Sequence, residues 1–331
     1  MRSQQDKDVD KAKRYASLRY TFSIAEVFYL SLLLFLFLKS GLSKSLALWF
    51  LKSQGIKPLV LPLYLFSLYL SYYVLSFPLN FYHSFLLEHK FSLSTQKFSG
   101  WFKDQLKNTL LSYIILLIVF SAFYFILSHF IHAWWLSISL FWIFFNIILT
   151  KLTPLLIIPL FFKYKKLLDE NLRLRIFRLA EKMKVGVLDC FEIDFSSKTL
   201  KANAALTGLG RSRRVILADT LKDKYSAEEI EVILAHEFAH HRLKHIWKLL
   251  AMNSLAAFLC FYLIFISSDF ILSFFNLPSL WDIASLPVLL LYFILLNLVL
   301  QPLANYISRR LEINADKMAL AVTGSNEAFI S

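Results

Sequence analysis

Long apolar runs are the feature that most restricts how this chain of 331 residues can fold. A helix needs about 20 mostly apolar residues to cross a bilayer, where every backbone polar group must find its partner within the segment. The chain therefore predicts a polytopic membrane protein, mainly α, whose spans form a helical bundle or barrel. Six runs meet this requirement: 20–38, 58–78, 109–131, 133–162, 246–271 and 286–308.

The composition excludes the other broad classes of fold. Hydrophobic residues make up 57% of the chain and charged residues 18%, against about 25% charged in ordinary globular proteins. A soluble fold of this size cannot hide so much apolar surface, and disorder, collagen and small disulfide scaffolds are excluded as well. Cys190 and Cys260 fall in a polar stretch and an apolar run, so we expect unpaired thiols.

The formal net charge of +13 has two interpretations. Basic surfaces bind nucleic acid, but Lys and Arg also collect at the cytosolic ends of membrane spans. No aromatic-basic RNA motif accompanies the charge. We therefore expect the charge to reflect the orientation of the spans in the membrane, and we expect no nucleic-acid partner. The N-terminal tail, the 79–108 connection and the 163–245 segment are basic, whereas 272–285 has no Lys or Arg. This predicts a cytosolic N-terminus and middle segment, although the 39–57 loop is also basic and disagrees.

The charged middle segment, 163–245, has the pattern of a small α+β domain inserted between spans. Apolar residues recur at helical spacing over 168–183, and strand-like segments follow at 187–195, 202–208 and 214–219. Ser226 and Glu229 form a capping-box pattern that predicts a helix starting near Ala227. The expected organisation is therefore four spans in 1–162, the α+β domain in 163–245, two spans in 246–308, and a helix in 309–331.

That predicted helix carries an HExxH motif, His236-Glu237-Phe238-Ala239-His240. Residues i and i+4 share a helix face, so His236 and His240 can chelate one metal ion, with Glu237 beside it to polarise a water molecule. The pattern is short, and histidines on a structural helix are the alternative.

A zinc hydrolase needs a third protein ligand and an open coordination position. Glu312 and Asp316 lie four residues apart in a segment that follows the last span. We expect Glu312 to ligate zinc and Asp316 to accept a hydrogen bond from a ligating histidine. The alternative is a solvated helix face on which Arg309 and Arg310 pair with these acids. His241 lies about 100° round the helix from His240 and is expected to miss the metal, and His245 is expected to cap or pack at the membrane boundary.

Several segments resemble the type I CAAX prenyl proteases, a family of integral-membrane zinc endopeptidases. The similarity extends beyond HExxH and covers nearly the whole chain in the same order. The similar segments are FLLEHKFSLSTQKFSGWFKD (85–104), PLLIIPLFFKYKKL (154–167), KTLKANAALTGLGRSRRVILADTL (198–221), HEFAHHRLKH (236–245) and SRRLEINAD (308–316).

The resemblance implies one zinc ion bound by His236, His240 and Glu312, with Glu237 as general base. It also implies that Asn203 and Ala204 belong to an edge strand that binds the substrate. The implied substrate is a peptide or protein, prenylated or otherwise hydrophobic, cut at a bilayer boundary near its C-terminus.

Departures from the family pattern refine this expectation. Fifteen residues separate Thr220 from His236, without an acidic insertion, which resembles prokaryotic members and predicts a bacterial cytoplasmic membrane. The chain stops at Ser331, before the family's His-Pro…Arg segment, and is expected to be a truncated form. Bacteria are not expected to prenylate proteins, so another hydrophobic peptide is the implied physiological substrate.

Two other functions remain open at the level of sequence. One is a heat-shock-type membrane zinc protease for quality control, a class that has fewer spans before its zinc domain. The other is a scaffold or transporter with a vestigial metal site, for which Glu26, Asn146 and Lys151 within or beside spans would form a polar pathway.

Overall fold

A computed structural model describes residues 4–53, 57–130, 132–208 and 213–324. Within these ranges six helical segments are long and apolar enough to cross a membrane. At most 39% of the residues in the apolar stretch of each segment are buried inside the protein. This confirms the predicted membrane fold with six spans. The six segments are Val9–Lys39, Val60–Lys90, Phe98–His129, Trp134–Phe161, His245–Phe274 and Ile283–Thr323.

The membrane helices are longer than the apolar runs, because polar turns continue the helices beyond the hydrocarbon-length segments. Two of them contain a π-helical turn, Tyr82–Leu86 and Thr153–Ile157. The helices are α1 (Gln4–Lys39), α2 (Leu42–Ser53), α3 (Val60–Phe81), α4 (Leu87–Lys90), α5 (Phe98–His129), α6 (Trp134–Leu152), α7 (Ile158–Phe161), α11 (His245–Phe274) and α12 (Leu286–Thr323).

The chain divides into two compact units. The first unit comprises Met1–Ser92, Phe98–Phe141 and Ala256–Leu300. Large apolar side chains point outwards from its helices, as with Phe28 and Leu110, which is expected of surfaces that face lipid tails. Its interior includes a buried polar contact, where the Ser43 hydroxyl donates to the Ala284 carbonyl at 2.6 Å and lies 2.8 Å from the Tyr64 hydroxyl. Ser43 belongs to α2, a helix that the basic 39–57 loop did not predict.

The second unit comprises Leu93–Lys97, Trp142–Leu255 and Gln301–Ser331, and it contains the α+β domain. Its sheet has the order β1-β2-β4-β3, with β2 parallel to β4 and the outer strands antiparallel to their neighbours. Strand β3 therefore lies at an edge. The strands are β1 (Tyr164–Lys166), β2 (Asp189–Ile193), β3 (Ala204–Thr207) and β4 (Arg214–Ala218), and the helices are α8 (Glu170–Lys182), α9 (Asp219–Lys224) and α10 (Ala227–Arg242).

Local sequence explains the two main helices of this domain. Asp169 caps α8 by accepting a hydrogen bond from the Leu172 amide, and α8 buries one apolar face. Ser226 and Glu229 form both bonds of the predicted capping box at the start of α10, so the predicted helix start is confirmed. Each of the three predicted strand segments contains a strand, whereas β1 was missed because its sequence, Tyr-Lys-Lys, is short and polar.

Candidate metal centre

Helix α10 holds the HExxH motif at the boundary between the domain core and an open surface. Leu234, Ala235, Phe238 and Ala239 are completely buried and fix one face of the helix in the core. The side chains of His236 and His240 lie on another face and keep 24% and 21% of their surface exposed. The same burial pattern that forms the helix therefore presents both histidines to a ligand.

Three donor atoms converge at this surface. The Nε2 atoms of His236 and His240 are 3.0 Å apart, and Glu312 Oε2 lies 3.1 Å and 3.4 Å from them. Ligands of a tetrahedral zinc ion, about 2.0–2.1 Å from the metal, are separated from one another by about 3.3–3.4 Å. Two imidazoles and a carboxylate are also the donor set of catalytic zinc sites that keep a fourth position open. The residues present therefore fit a zinc ion.

The second ring nitrogen of His236 is held by Asp316. His236 Nδ1 lies 2.8 Å from Asp316 Oδ1, so the ring N–H donates to the carboxylate and Nε2 is left free for the metal. A carboxylate in this position fixes the tautomer and makes the ligand more basic. The structure thus places Asp316 against His236, one of the two histidines that the sequence predicted as its partner.

The second ring nitrogen of His240 has a partner that the sequence did not predict. His245 is completely buried, and its Nδ1 lies 3.0 Å from His240 Nδ1. If His240 ligates through Nε2, its Nδ1 carries the hydrogen and donates to His245. His245 then carries its own hydrogen on Nε2, which is buried without a partner among the described residues. The expectation that His245 merely caps or packs therefore omitted its contact with a ligand.

The interruption of the helix between α10 and α11 explains why sequence spacing does not predict this contact. On a continuous helix, residue i+5 lies about 140° round from residue i. Lys244 instead adopts a left-handed backbone conformation, with φ of 56°, and ends α10. The chain turns there, which returns the His245 ring to the face that carries His240.

Glu237 follows His236 directly in the chain, and its carboxyl is largely removed from solvent. Burial raises the pKa of its carboxyl, the negative charge of Glu312 raises it further, and His236 lowers it. A carboxyl whose pKa is raised by burial is a better proton acceptor when ionised than a fully solvated one. The position and environment of Glu237 suit a general base.

Helix α12 supplies the distal acids through close packing of small residues. Ala315 and Ala319 have no exposed surface and belong to the same buried cluster as Ala235 and Phe238 of α10. Their burial fixes the turn of α12 that carries the two acids in the core of the α+β domain. The alternative pairing of the acids with arginines is not observed in the described chain: Arg310 stacks on Tyr306, and the ion pairs of Glu312 and Asp316 are with histidines.

The predicted substrate strand lies at the sheet edge, and its register distinguishes the roles of its residues. The Ala218 amide donates to the Asn203 carbonyl at 2.9 Å, and Ala204 pairs with Leu217 in a non-hydrogen-bonded position. The backbone groups of Ala204 and Leu206 therefore point away from β4. The Leu206 carbonyl accepts a hydrogen bond from His241 Nε2 at 2.9 Å, which ties the edge strand to α10. His241 is thus directed away from the metal ligands, and burial lowers its pKa.

Comparison with known proteins agrees with this geometry. A family described as "CAAX prenyl protease N-terminal, five membrane helices" matches residues 2–163, and peptidase family M48 matches residues 166–330. An uncharacterized metalloprotease of Bacillus subtilis, YhfN, is 30% identical over 90% of this chain and 71% of its own length.

Other relatives include eukaryotic enzymes. CAAX prenyl protease 1 of Saccharomyces cerevisiae is 33% identical over 56% of this chain, and the alignment spans 41% of the yeast protein. The crystal structure of S. mikatae Ste24p superposes with a TM-score of 0.81 at 25% identity, covering 93% of this chain and 77% of that one. The similarity thus includes the membrane helices as well as the metal-site domain.

Proposed function

The chain belongs to peptidase family M48 as a multi-pass membrane metalloprotease, and we propose that it is a zinc endopeptidase of the CAAX prenyl protease type. The observation that carries this proposal is the triangle of donor atoms from His236, His240 and Glu312, with spacings of 3.0–3.4 Å. The contact of each histidine with a further partner supports it, because both rings are oriented with Nε2 towards the ligand position.

The residues of the site have separate roles in peptide hydrolysis. A zinc ion held by the three ligands supplies Lewis-acid chemistry to a water molecule and a peptide carbonyl. The Glu237 carboxylate accepts a proton from the attacking water and delivers it to the leaving amine. Asp316 and His245 hold the two imidazoles in the required tautomer, so they act by positioning the ligands.

The outer edge of β3 at Ala204 is the proposed docking line for the substrate, since the outward Leu206 carbonyl is already bonded to His241. An extended peptide can add to a sheet edge through main-chain hydrogen bonds. Ala204 offers outward N–H and C=O groups, whereas the Asn203 carbonyl is already bonded to β4. We therefore assign the backbone contact to Ala204, and only the side chain of Asn203 remains available to the substrate.

The proposed substrate class is a hydrophobic peptide or protein, prenylated or unprenylated, processed near its C-terminus at the membrane boundary. The proposed location is a bacterial cytoplasmic membrane with the N-terminus and the metal centre on the cytosolic side. The relationship to CAAX prenyl protease 1 supports the substrate class, and the relationship to YhfN supports a bacterial setting.

The test is cleavage of matched prenylated and unprenylated peptides by the purified full chain in detergent. We expect cleavage that a metal chelator abolishes, that added zinc restores, and that Glu237→Gln lacks. Faster cleavage of the prenylated peptide supports CAAX-type specificity. Equal rates would contradict that specificity and favour a general membrane protease of the quality-control type, and chelator-resistant cleavage would contradict the zinc mechanism.

A further inference from the structure

A large cavity in the second unit has no role in the proposed hydrolysis. Its volume is about 1020 Å³, and its wall is formed by the end of one membrane helix, the outer sheet face and the start of α11. The apolar part of the wall includes Pro154, Leu155, Phe162, Ile216 and Trp247. A cavity of this size accommodates a ligand much larger than a water molecule.

Three cations line the same cavity: Lys151, Lys163 and Arg214. No acidic side chain is among its described lining residues. None of the three cations forms an ion pair within the described chain, and Arg214 instead lies over the Phe191 ring, 5.3 Å from its centroid. The cavity therefore joins an apolar wall to three cations, and Asp194, whose carboxylate accepts from the Lys163 backbone amide at 2.7 Å, lies outside the lining.

The cavity lies at the ends of two membrane spans. Lys151 and Pro154 belong to the last turns of the span Trp134–Phe161, and Trp247 belongs to the first turn of the span His245–Phe274. Tryptophan and the long basic side chains are typical of the boundary between hydrocarbon and water, where an apolar stem stays in the membrane and a charge reaches headgroups. The most abundant anions at that depth are lipid phosphates.

A second cavity adjoins the same tryptophan. Its volume is about 340 Å³, and its described lining includes Lys184, Arg213, Arg242 and Lys244, again with no acidic side chain. Both cavities are lined by Trp247, so the positive charge extends on either side of this residue.

We propose that the larger cavity is a binding site for an anionic phospholipid. The phosphate lies among Lys151, Lys163 and Arg214, and an acyl chain lies along Pro154, Leu155 and Trp247. Basic pockets at the cytosolic ends of membrane helices bind anionic headgroups in this way. The main competing occupant is an acidic peptide, because Thr207 and Gly208, at the end of the edge strand, also line the cavity.

The test is native mass spectrometry of the full chain in detergent, titrated with dioleoyl phosphatidylglycerol or dioleoyl phosphatidylcholine. We expect preferential binding of phosphatidylglycerol and a loss of its affinity on the order of a hundredfold in the triple variant K151Q/K163Q/R214Q. The control, R175Q/R178Q/K182Q, removes the same charge from the exposed face of α8 and is expected to bind phosphatidylglycerol as the unchanged protein does.

Four results would overturn the proposal. The first is equal binding of the two lipids by the unchanged protein, and the second is unchanged phosphatidylglycerol affinity in the triple variant. The third is competition by inorganic phosphate at the same concentration as the lipid, which would indicate an anion site without a lipid tail. An acidic peptide that displaces phosphatidylglycerol from the unchanged protein, but does not bind the triple variant, would reassign the cavity to the substrate. These binding measurements need no peptidase activity, so they are independent of the proposed function.

Discussion

The two helices that form the candidate metal centre are built in different ways. Helix α10 has 16 residues, a capping box at its start and a face fixed in the core of the α+β domain. Helix α12 has 38 residues, most of them in a membrane span, and its site-bearing end is buried mainly through Leu311, Ala315 and Ala319. The acids of α12 keep about half of their side-chain surface exposed, whereas the histidines of α10 keep less than a quarter.

This difference separates the tasks of the two helices. Helix α10 has its fold and two ligands fixed by local sequence, so it can form its half of the site within the domain. Helix α12 places Glu312 and Asp316 at the site only if Ala315 and Ala319 are packed in the buried cluster of the domain. We infer that metal affinity depends on the packing of α12 as well as on the ligands themselves, and the following variants test this distinction.

The largest expected effect is loss of the α12 ligand. Glu312→Ala removes one of three protein donors, and we expect zinc to be lost from the purified protein together with all measurable peptidase activity. Metal content by mass spectrometry checks this, with circular dichroism as the control for folding. Stoichiometric zinc in a folded Glu312→Ala protein would contradict the assignment of this ligand.

Overpacking the contact of α12 tests the role of the small residues without removing a ligand. Ala315→Leu inserts a larger side chain at a position with no exposed surface, at a cost of about 1–3 kcal/mol. We expect the helix to shift and zinc affinity to fall while the fold is retained. Ala321→Leu, at an exposed position of the same helix, is the matched control and should leave zinc affinity unchanged. Equal affinities in the two variants would show that tight packing around Ala315 is not needed for zinc binding.

The partners of the two histidines give the next comparison. We expect Asp316→Asn and His245→Leu each to weaken zinc binding by roughly 10–100-fold, because each change frees one ligand to adopt another tautomer or orientation. His245→Asn keeps an acceptor near the His240 ring and should recover part of the affinity. Competition with a chelator of known affinity measures all three variants. If His245→Leu and His245→Asn bind zinc equally weakly, the hydrogen bond to His240 is not the cause.

The smallest expected effect concerns the edge strand. Ala204→Pro removes an N–H that points away from β4, and edge positions tolerate proline. We expect the KM for a peptide to rise roughly 2–10-fold with kcat little changed, since about one net hydrogen bond is lost. Ala204→Gly keeps the N–H and serves as the control. Unchanged KM in the proline variant would remove Ala204 from the docking line.

The sequence predicted the parts of the molecule that depend on local patterns. The six spans follow from apolar run length, and the start of α10 follows from Ser226 and Glu229. His236 and His240 are brought together by helical periodicity alone. The position of Glu312 beside the histidines does not follow from a local pattern, because α12 lies far along the chain. Its site-bearing end is buried through Ala315 and Ala319, residues that carry no chemical signal.

The structural features that the sequence does not predict depend on irregular backbone, on strand register or on short helices. The contact of His245 with His240 needs the left-handed Lys244, and no periodic pattern encodes that turn. The proposed assignment of the backbone contact to Ala204 depends on strand register, which a four-residue strand does not reveal. Helix α2 was overlooked because its apolar residues are interrupted by Lys44 and Lys52 in a segment too short to span a membrane.

The most direct test of the metal centre compares the unchanged protein with Glu237→Gln in one purification. Zinc per chain and turnover of a fluorescent peptide are measured on the same samples. We expect stoichiometric zinc in both proteins, and turnover in the variant reduced by roughly two to four orders of magnitude, since only the proton acceptor is lost. Normal turnover by the zinc-loaded variant would contradict the assignment of Glu237 as the general base of this centre.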